Sequence, residues 1–399
     1  MAEWNYEDYK QWIDDGCKVN EKVTILKLNS CNLTNLSENI DNLINLRKLY
    51  CYNNQLTKLP GTLGNLINLQ ELFCDNNELI ELPETLGKLI NLQKLYCYDN
   101  KLKKLPKTLG NLINLQQLWC KSNELTELPK TLGNLINLQE LGCDNNKLTK
   151  LPKTIGNLIN LQLLYCYNNK LTKLPKTLGK LINLQKLYCY NNELIELPEI
   201  LGNLINLQEL CCFNNKLIEL PKTLGDLINL QTLFCYDNEL KELPETLDNL
   251  INLRKLDCSN NKLIKLPKTL GNLINLRKLD CSNNQLTKLP ISIIKLKHLS
   301  QIVYDTNIRL PINLQRFIDR IKNEINNDVH NNYIQESLLD SINILLSETI
   351  IKDINLIDDN ILDNKTKSIL YNFIEDKTQS YLLISFEELL VYILEKFEN

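Results

Sequence analysis

Residues on which catalysis depends are scarce in this 399-residue chain. It has two histidines, His298 and His330, and neither has cysteine, histidine or carboxylates at metal-ligand spacing. Nine of the twelve glycines and eleven of the twelve prolines each recur at one fixed place in a repeat. Only Gly16, Gly61 and Gly142 are left over, so a phosphate-cradling loop has no material from which to be built. No cysteine follows Cys281. No apolar run approaches the ~18 residues that a membrane helix needs. The first residues, MAEWNYEDYKQWIDDG, are acidic and lack the apolar core of a signal peptide. A stripe of one charge is missing too. The net charge is −3, and signs alternate, as in Lys48, Glu71, Lys94, Gln117, Glu140 or in Lys58, Glu81, Lys104, Glu127. A phosphate-binding face needs one sign. The expectation is a chain that is not an enzyme, takes no cofactor or metal, and binds neither nucleic acid nor membrane.

What the chain has in abundance is repetition. A unit of 23 residues, LxxLxCxxNxLxxLPxxLGxLIN, starts at Leu46 and recurs eleven times, the last from Leu276. A degenerate unit precedes it from Val23. A truncated one follows from Leu299, with Leu310 and Pro311 arriving two residues early. In LQKLYCYNN (184–192) apolar residues alternate, so Leu187 and Cys189 face one side while Tyr188 and Tyr190 face the other. One unit cannot bury its apolar face alone, whereas strand beside parallel strand makes a continuous core. Leucines at positions 1, 4, 11, 14, 18 and 21 should line it. Proline at position 15 should stop the strand, and glycine at position 19 should permit a tight bend. Asparagine at position 9, present from Asn54 to Asn284, can bond the backbone of the adjacent coil. Thirteen coils at ~4.8 Å give a sheet on the order of 60 Å long.

This pattern resembles the leucine-rich repeat family over residues 23–311, and its LPxxLGxL half resembles the intracellular Ras-group subclass. The near-identical units, LIN endings and Asn/Ile/Lys/Tyr-heavy composition are similar to leucine-rich repeat proteins of giant viruses. The resemblance implies an α/β solenoid, a horseshoe with a parallel β-sheet on its concave face, followed by a helical C-terminal region. It also implies a signalling scaffold. Some bacterial members carry a ubiquitin-ligase domain with a catalytic cysteine after the repeats, and the absence of cysteine beyond Cys281 excludes that arrangement.

Eleven of fourteen cysteines hold position 6, from Cys51 to Cys281. There they should serve as small buried hydrophobes, and a column of reduced thiols suits a reducing, cytoplasmic compartment, the host's if the chain is viral. Their neighbours at positions 5 and 7 should face out on the concave sheet. Thirteen of the chain's twenty-six aromatics fall in these two columns: Tyr50, Tyr52, Phe73, Tyr96, Tyr98, Trp119, Tyr165, Tyr167, Tyr188, Tyr190, Phe213, Phe234 and Tyr236. Either they stack and merely tile the sheet, or they form a patch for a protein partner. Stacking of single-stranded bases is a further reading, and it requires binding that weakens steeply with salt. Gly142 and Asp144 should split the patch in two, and Cys211, at position 5, should be an outward thiol.

The ends differ from the repeats. Residues 1–22 should form a cap, with a helix over residues 5–15 started by Asn5 and Asp8, ended by Gly16, and carrying Tyr6, Tyr9, Trp12 and Ile13 on its apolar face. Residues 312–399 carry sixteen acidic and eight basic residues. Helical periodicity groups Leu314, Phe317, Ile318, Ile321 and Ile325 on one face, and Leu382, Leu383, Phe386, Leu389, Leu390, Ile393, Leu394 and Phe397 on another. The first helix should cap the array, and the remainder can hold homo-oligomers together or dock a partner. The expected function is a non-enzymatic scaffold that binds a partner protein through the aromatic concave face; a structural or self-assembling role of the acidic tail is the alternative.

Overall fold

Each repeat unit spends only positions 3–5 on a strand, because the proline at position 15 and the short polar turn between them leave no room for more. A computed structural model describes residues 2–327, with side chains through residue 322. Strands β2 (Val23–Lys27) through β14 (Gln301–Val303) follow one per coil and pair in parallel in sequence order. Equivalent residues sit side by side, as with Lys48, Leu49 and Tyr50 against Glu71, Leu72 and Phe73. The thirteen expected coils are present. A fourteenth strand, β1 (Ala2–Trp4), adds to β2 at the amino-terminal edge, and the reading of residues 1–4 had no strand there.

The leucine ladder behaves as the alternation requires. From Leu46 to Leu276, leucines at positions 1, 4, 11, 18 and 21 are almost wholly buried, and position 6 cysteines are fully so. One cluster runs without a break from Tyr9 to Ile321. Each buried leucine contributes about 2 kcal/mol of apolar transfer, and no coil can keep that contribution without its neighbours. The position 9 asparagine ties coils together. Asn123 accepts from the amide of Leu102 at 2.9 Å and donates to the carbonyls of Cys97 and Cys120 at 3.0 and 3.2 Å, which satisfies buried backbone groups that the turn leaves open.

One detail adds to the sequence reading and another corrects it. Position 8, one residue before that asparagine, adopts a left-handed backbone in all eleven full coils, from Asn53 (φ 55°) to Asn283 (φ 54°). Asn, Asp and Ser fill it because short polar side chains tolerate this region. Glycine at position 19 is not there for a bend. A Cβ on Gly64 would lie 2.3 Å from the Thr85 carbonyl oxygen of the next coil. The requirement is close approach between the short 3₁₀ helices on the back of adjacent coils. The position 17 threonines complete that contact, as where Thr131 donates to the Lys107 carbonyl at 2.7 Å.

The array is closed at both described ends. Helix α1 (Tyr6–Asp14) begins with a capping box between Asn5 and Asp8. Tyr9 and Trp12 are buried against the first coil, with Tyr9 Oη accepting from the Ser37 amide at 2.8 Å and Trp12 Nε1 donating to the Lys18 carbonyl at 2.7 Å. Ile13, placed on the same face by periodicity, is exposed instead, since the helix touches the coil along a narrower stripe. Helix α2 (Ile312–Asn327) buries Leu314, Ile318 and Ile321 in the main cluster, with Phe317 packed beside them. The expected apolar face of residues 382–397 and the association assigned to the acidic tail lie outside the described residues.

Candidate binding surface on the concave face

Alternation along a strand sends positions 3, 5 and 7 to the concave face, and all thirteen aromatics sit there half-buried. They are half-buried because they cover one another. In the position 5 column Tyr50 meets Phe73 at 5.0 Å between ring centroids, and Phe73 stacks on Tyr96 at 4.3 Å. In the position 7 column Tyr167, Tyr190, Phe213 and Tyr236 form an uninterrupted stack with spacings of 4.3, 4.2 and 4.2 Å. Such spacings match the strand repeat, so the sheet itself holds the rings in contact.

The expected split at Gly142 does not occur in the position 5 column. The Trp119 indole lies over Gly142, close enough that a Cβ there would meet Trp119 Cε3 at 2.3 Å. From that position it reaches Tyr165 at 5.5 Å. Glycine therefore joins the two halves by making room for the largest ring. In the position 7 column the break is real, since Asp75, Lys121 and Asp144 replace aromatics there. Asp144 is wholly buried, its Oδ1 has no hydrogen-bond partner, and its Oδ2 accepts from Asn145 Nδ2 at 3.0 Å. Burial pushes the carboxyls of both Asp75 and Asp144 above their ordinary value. Lys121 lies between them in the column, with its ammonium 4.9 Å from the Tyr98 ring centroid and 5.8 Å from that of Trp119.

Position 3 supplies a polar frame that sequence reading missed. Tyr50 donates to Glu71 at 2.7 Å, Tyr96 to Gln117 at 2.6 Å, Trp119 Nε1 to Glu140 at 3.3 Å, and Tyr188 to Glu209. Each acceptor lies 21 residues after its donor. The signal was legible: Glu or Gln follows at position 3 of the next coil after those four donors, and Lys94 and Lys255 follow Phe73 and Phe234, which have nothing to donate. Lys48 and Lys186 complete the frame, pairing with Glu71 at 3.2 Å and Glu209 at 2.9 Å. Burial alone would raise the Glu71 carboxyl, but the bonds from Tyr50 and Lys48 hold it below its ordinary value. Burial and the bond to Glu209 push the Tyr188 phenol well up.

Cys211 is on the concave side, as its position implied, but it is covered rather than an accessible thiol. Its strand pairs place it between Tyr188 and Phe234, it is buried, and burial pushes its thiol up to about 12, the opposite of an activated nucleophile. All fourteen cysteines are free. Among the described residues no cluster of three metal-ligating side chains is present, and no helix is long and apolar enough to cross a membrane.

Comparison with known proteins follows the same lines. The family described as leucine-rich repeat region matches residues 21–144 and 120–216, and the leucine rich repeat itself matches 252–273 and 275–296. No curated protein sequence matches the chain. Among solved structures, a leucine-rich repeat protein of Leptospira interrogans is 31% identical over 80% of this chain and 97% of that one, with a TM-score of 0.51. The functional domain of InlJ from Listeria monocytogenes, described as including a cysteine ladder, is 29% identical over 69% of this chain and 56% of that one, with a TM-score of 0.59. The Arabidopsis receptor kinase HAESA, in complex with the peptide hormone IDA and the co-receptor SERK1, is 26% identical over 77% of this chain and 52% of that one, with a TM-score of 0.64. With the 23-residue period, the parallel one-strand-per-coil sheet and these matches together, the chain belongs to the leucine-rich repeat proteins.

Proposed function

We propose that this chain is a non-enzymatic scaffold that binds a protein or peptide partner across the aromatic concave face. The observation that carries the reading is the position 7 stack from Tyr167 to Tyr236 beside the position 5 rings that Trp119 links to Tyr165 across Gly142. Rings fixed in place by the sheet lose little conformational entropy on association, and Tyr and Trp are the side chains enriched where binding energy concentrates. Solved relatives hold peptide hormones, as in HAESA with IDA and the plant receptor RGFR1 with RGF2. The polar frame selects the kind of contact that the rings offer. Tyr50, Tyr96 and Tyr188 already spend their hydroxyls on neighbours, so they offer ring faces and edges, and a partner's apolar side chains suit them best. A reducing, cytoplasmic setting, argued from the thiol column, and a signalling partner, argued from the resemblance to the Ras-group subclass, belong to the same proposal.

The test is peptide selection from a displayed random library on the native chain and on a Tyr190→Ala/Phe213→Ala variant, with folding of both checked by circular dichroism. Sequences enriched on the native chain and lost on the variant support the reading. Equal enrichment on both, or none on either, leaves the rings as tiling only.

A further inference from the structure

A second surface, away from the concave face, is built with equal regularity. Position 22, within the LIN that closes each unit, is isoleucine in every coil from Ile44 to Ile274. From Ile67 onward each of these ten side chains is 51–56% exposed. At one residue per coil they make an apolar ridge roughly 45 Å long. Monomeric proteins rarely leave contiguous apolar strips beyond a few hundred Å² exposed.

The strip beside the ridge is neutral throughout. Position 23 is asparagine from Asn45 to Asn275, and position 2 is glutamine from Gln70 to Gln231, bounded by Arg47 and Arg254. Between these columns runs a groove of about 850 Å³ lined by Asn and Gln alone, from Gln70 to Gln208. The asparagines are fixed: from Asn68 to Asn275 each donates to the isoleucine carbonyl of the preceding coil, as Asn137 does to Ile113 at 2.9 Å. The glutamine amides have no partner among the described residues.

An occupant of this edge must be long, uncharged and repetitive at the coil spacing, and must bring an apolar ridge with amides alongside. We propose that it is a second copy of this chain, running antiparallel. A two-fold axis across the strip places each column opposite itself, isoleucine on isoleucine and glutamine on glutamine. An amide carries both donor and acceptor, so a glutamine column is self-complementary. A standard interface takes about 800 Å² per partner, and ten half-exposed isoleucines with an amide groove beside them are an extended surface of the kind such an interface needs. The concave faces of both copies stay open, so this association is independent of the partner-binding proposal.

Sedimentation velocity of the full chain at micromolar concentrations tests it, with Ile136→Lys/Ile159→Lys and Ile136→Thr/Ile159→Thr as variants and circular dichroism as the folding control. The native chain should sediment as a dimer. The lysine variant should be a folded monomer, its self-affinity reduced ~100-fold or more by like charges facing across the axis. The threonine variant, which adds no charge and keeps the β-branched shape, should fall in between. A monomeric native chain overturns the proposal. So does a lysine variant that dimerises as the native chain does, or, if that variant fails to fold, a threonine variant of unchanged affinity.

Discussion

Gly142 and Gly64 are the same residue under opposite constraints. An added Cβ on Gly142 meets the edge of a movable indole, whereas on Gly64 it meets a backbone carbonyl of the next coil. Gly142→Ala should therefore cost only about 1 kcal/mol while displacing Trp119 and shifting its fluorescence to the red. Gly64→Ala should cost about 2–3 kcal/mol in urea unfolding and leave tryptophan emission of the folded state unchanged. Asp144 makes a prediction in pH. Its folded carboxyl is raised by burial, so its contribution is fully favourable only below the ordinary aspartate value of about 4 and is lost as pH rises through the folded value. Asp144→Asn should accordingly raise Tm most at neutral pH, and the gain should vanish near pH 3. A gain that grows on acidification would contradict the burial. At this scale the sequence was legible wherever a side chain faces in or out. What the reading missed were contacts between coils, Tyr50 with Glu71 21 residues on and Trp119 with Gly142 23 residues on, whose pattern shows only once the coil length is laid out in space.

At the scale of elements, the strands, α1 and α2 follow from alternation, a capping box and helical periodicity, all local signals. β1 was not legible, since AEW has no pattern until β2 lies beside it. The role of glycine at position 19 was misread for a related reason: glycine advertises freedom of the backbone, but here the demand is space. Asp248 tests that account. It stands where glycine is usual, the 3₁₀ helix of the following coil shrinks to Leu270–Asn272, and Asn272 reaches over to its carboxylate at 3.4 Å. Asp248→Gly should restore the five-residue helix and stabilise the chain by about 1 kcal/mol. Slower amide exchange across residues 267–273 would report the repair; unchanged exchange with unchanged Tm would mean that the side chain at position 19 does not set that helix.

For the molecule as a whole, the 23-residue period told nearly everything about the fold and little about which surface is used. Periodicity fixes which residues are buried, yet the Ile ridge and the aromatic columns are equally periodic and equally outward. The buried thiol column gives a global check. All eleven position 6 thiols are fully buried and their ionisation is opposed by burial, while Cys31 is partly exposed. A thiol reagent should find one fast-reacting cysteine in the folded chain and fourteen after unfolding without reductant. A smaller total would mean disulfides and would remove the argument for a reducing compartment.

Near-identical coils raise a difficulty during folding, since strand Lys186–Tyr188 can pair with many partners almost as well as with its own. A chain of interchangeable parts needs landmarks. The Trp119 indole fits only over a residue with no side chain, and along positions 5 of the eleven full units that residue is Gly142 alone. A coil slipped by one unit would set the indole against a tyrosine and leave a gap above the glycine. This pair thus acts as a key in a lock that only the correct count of coils can turn, proofreading the order of assembly from a single site in the middle of the array.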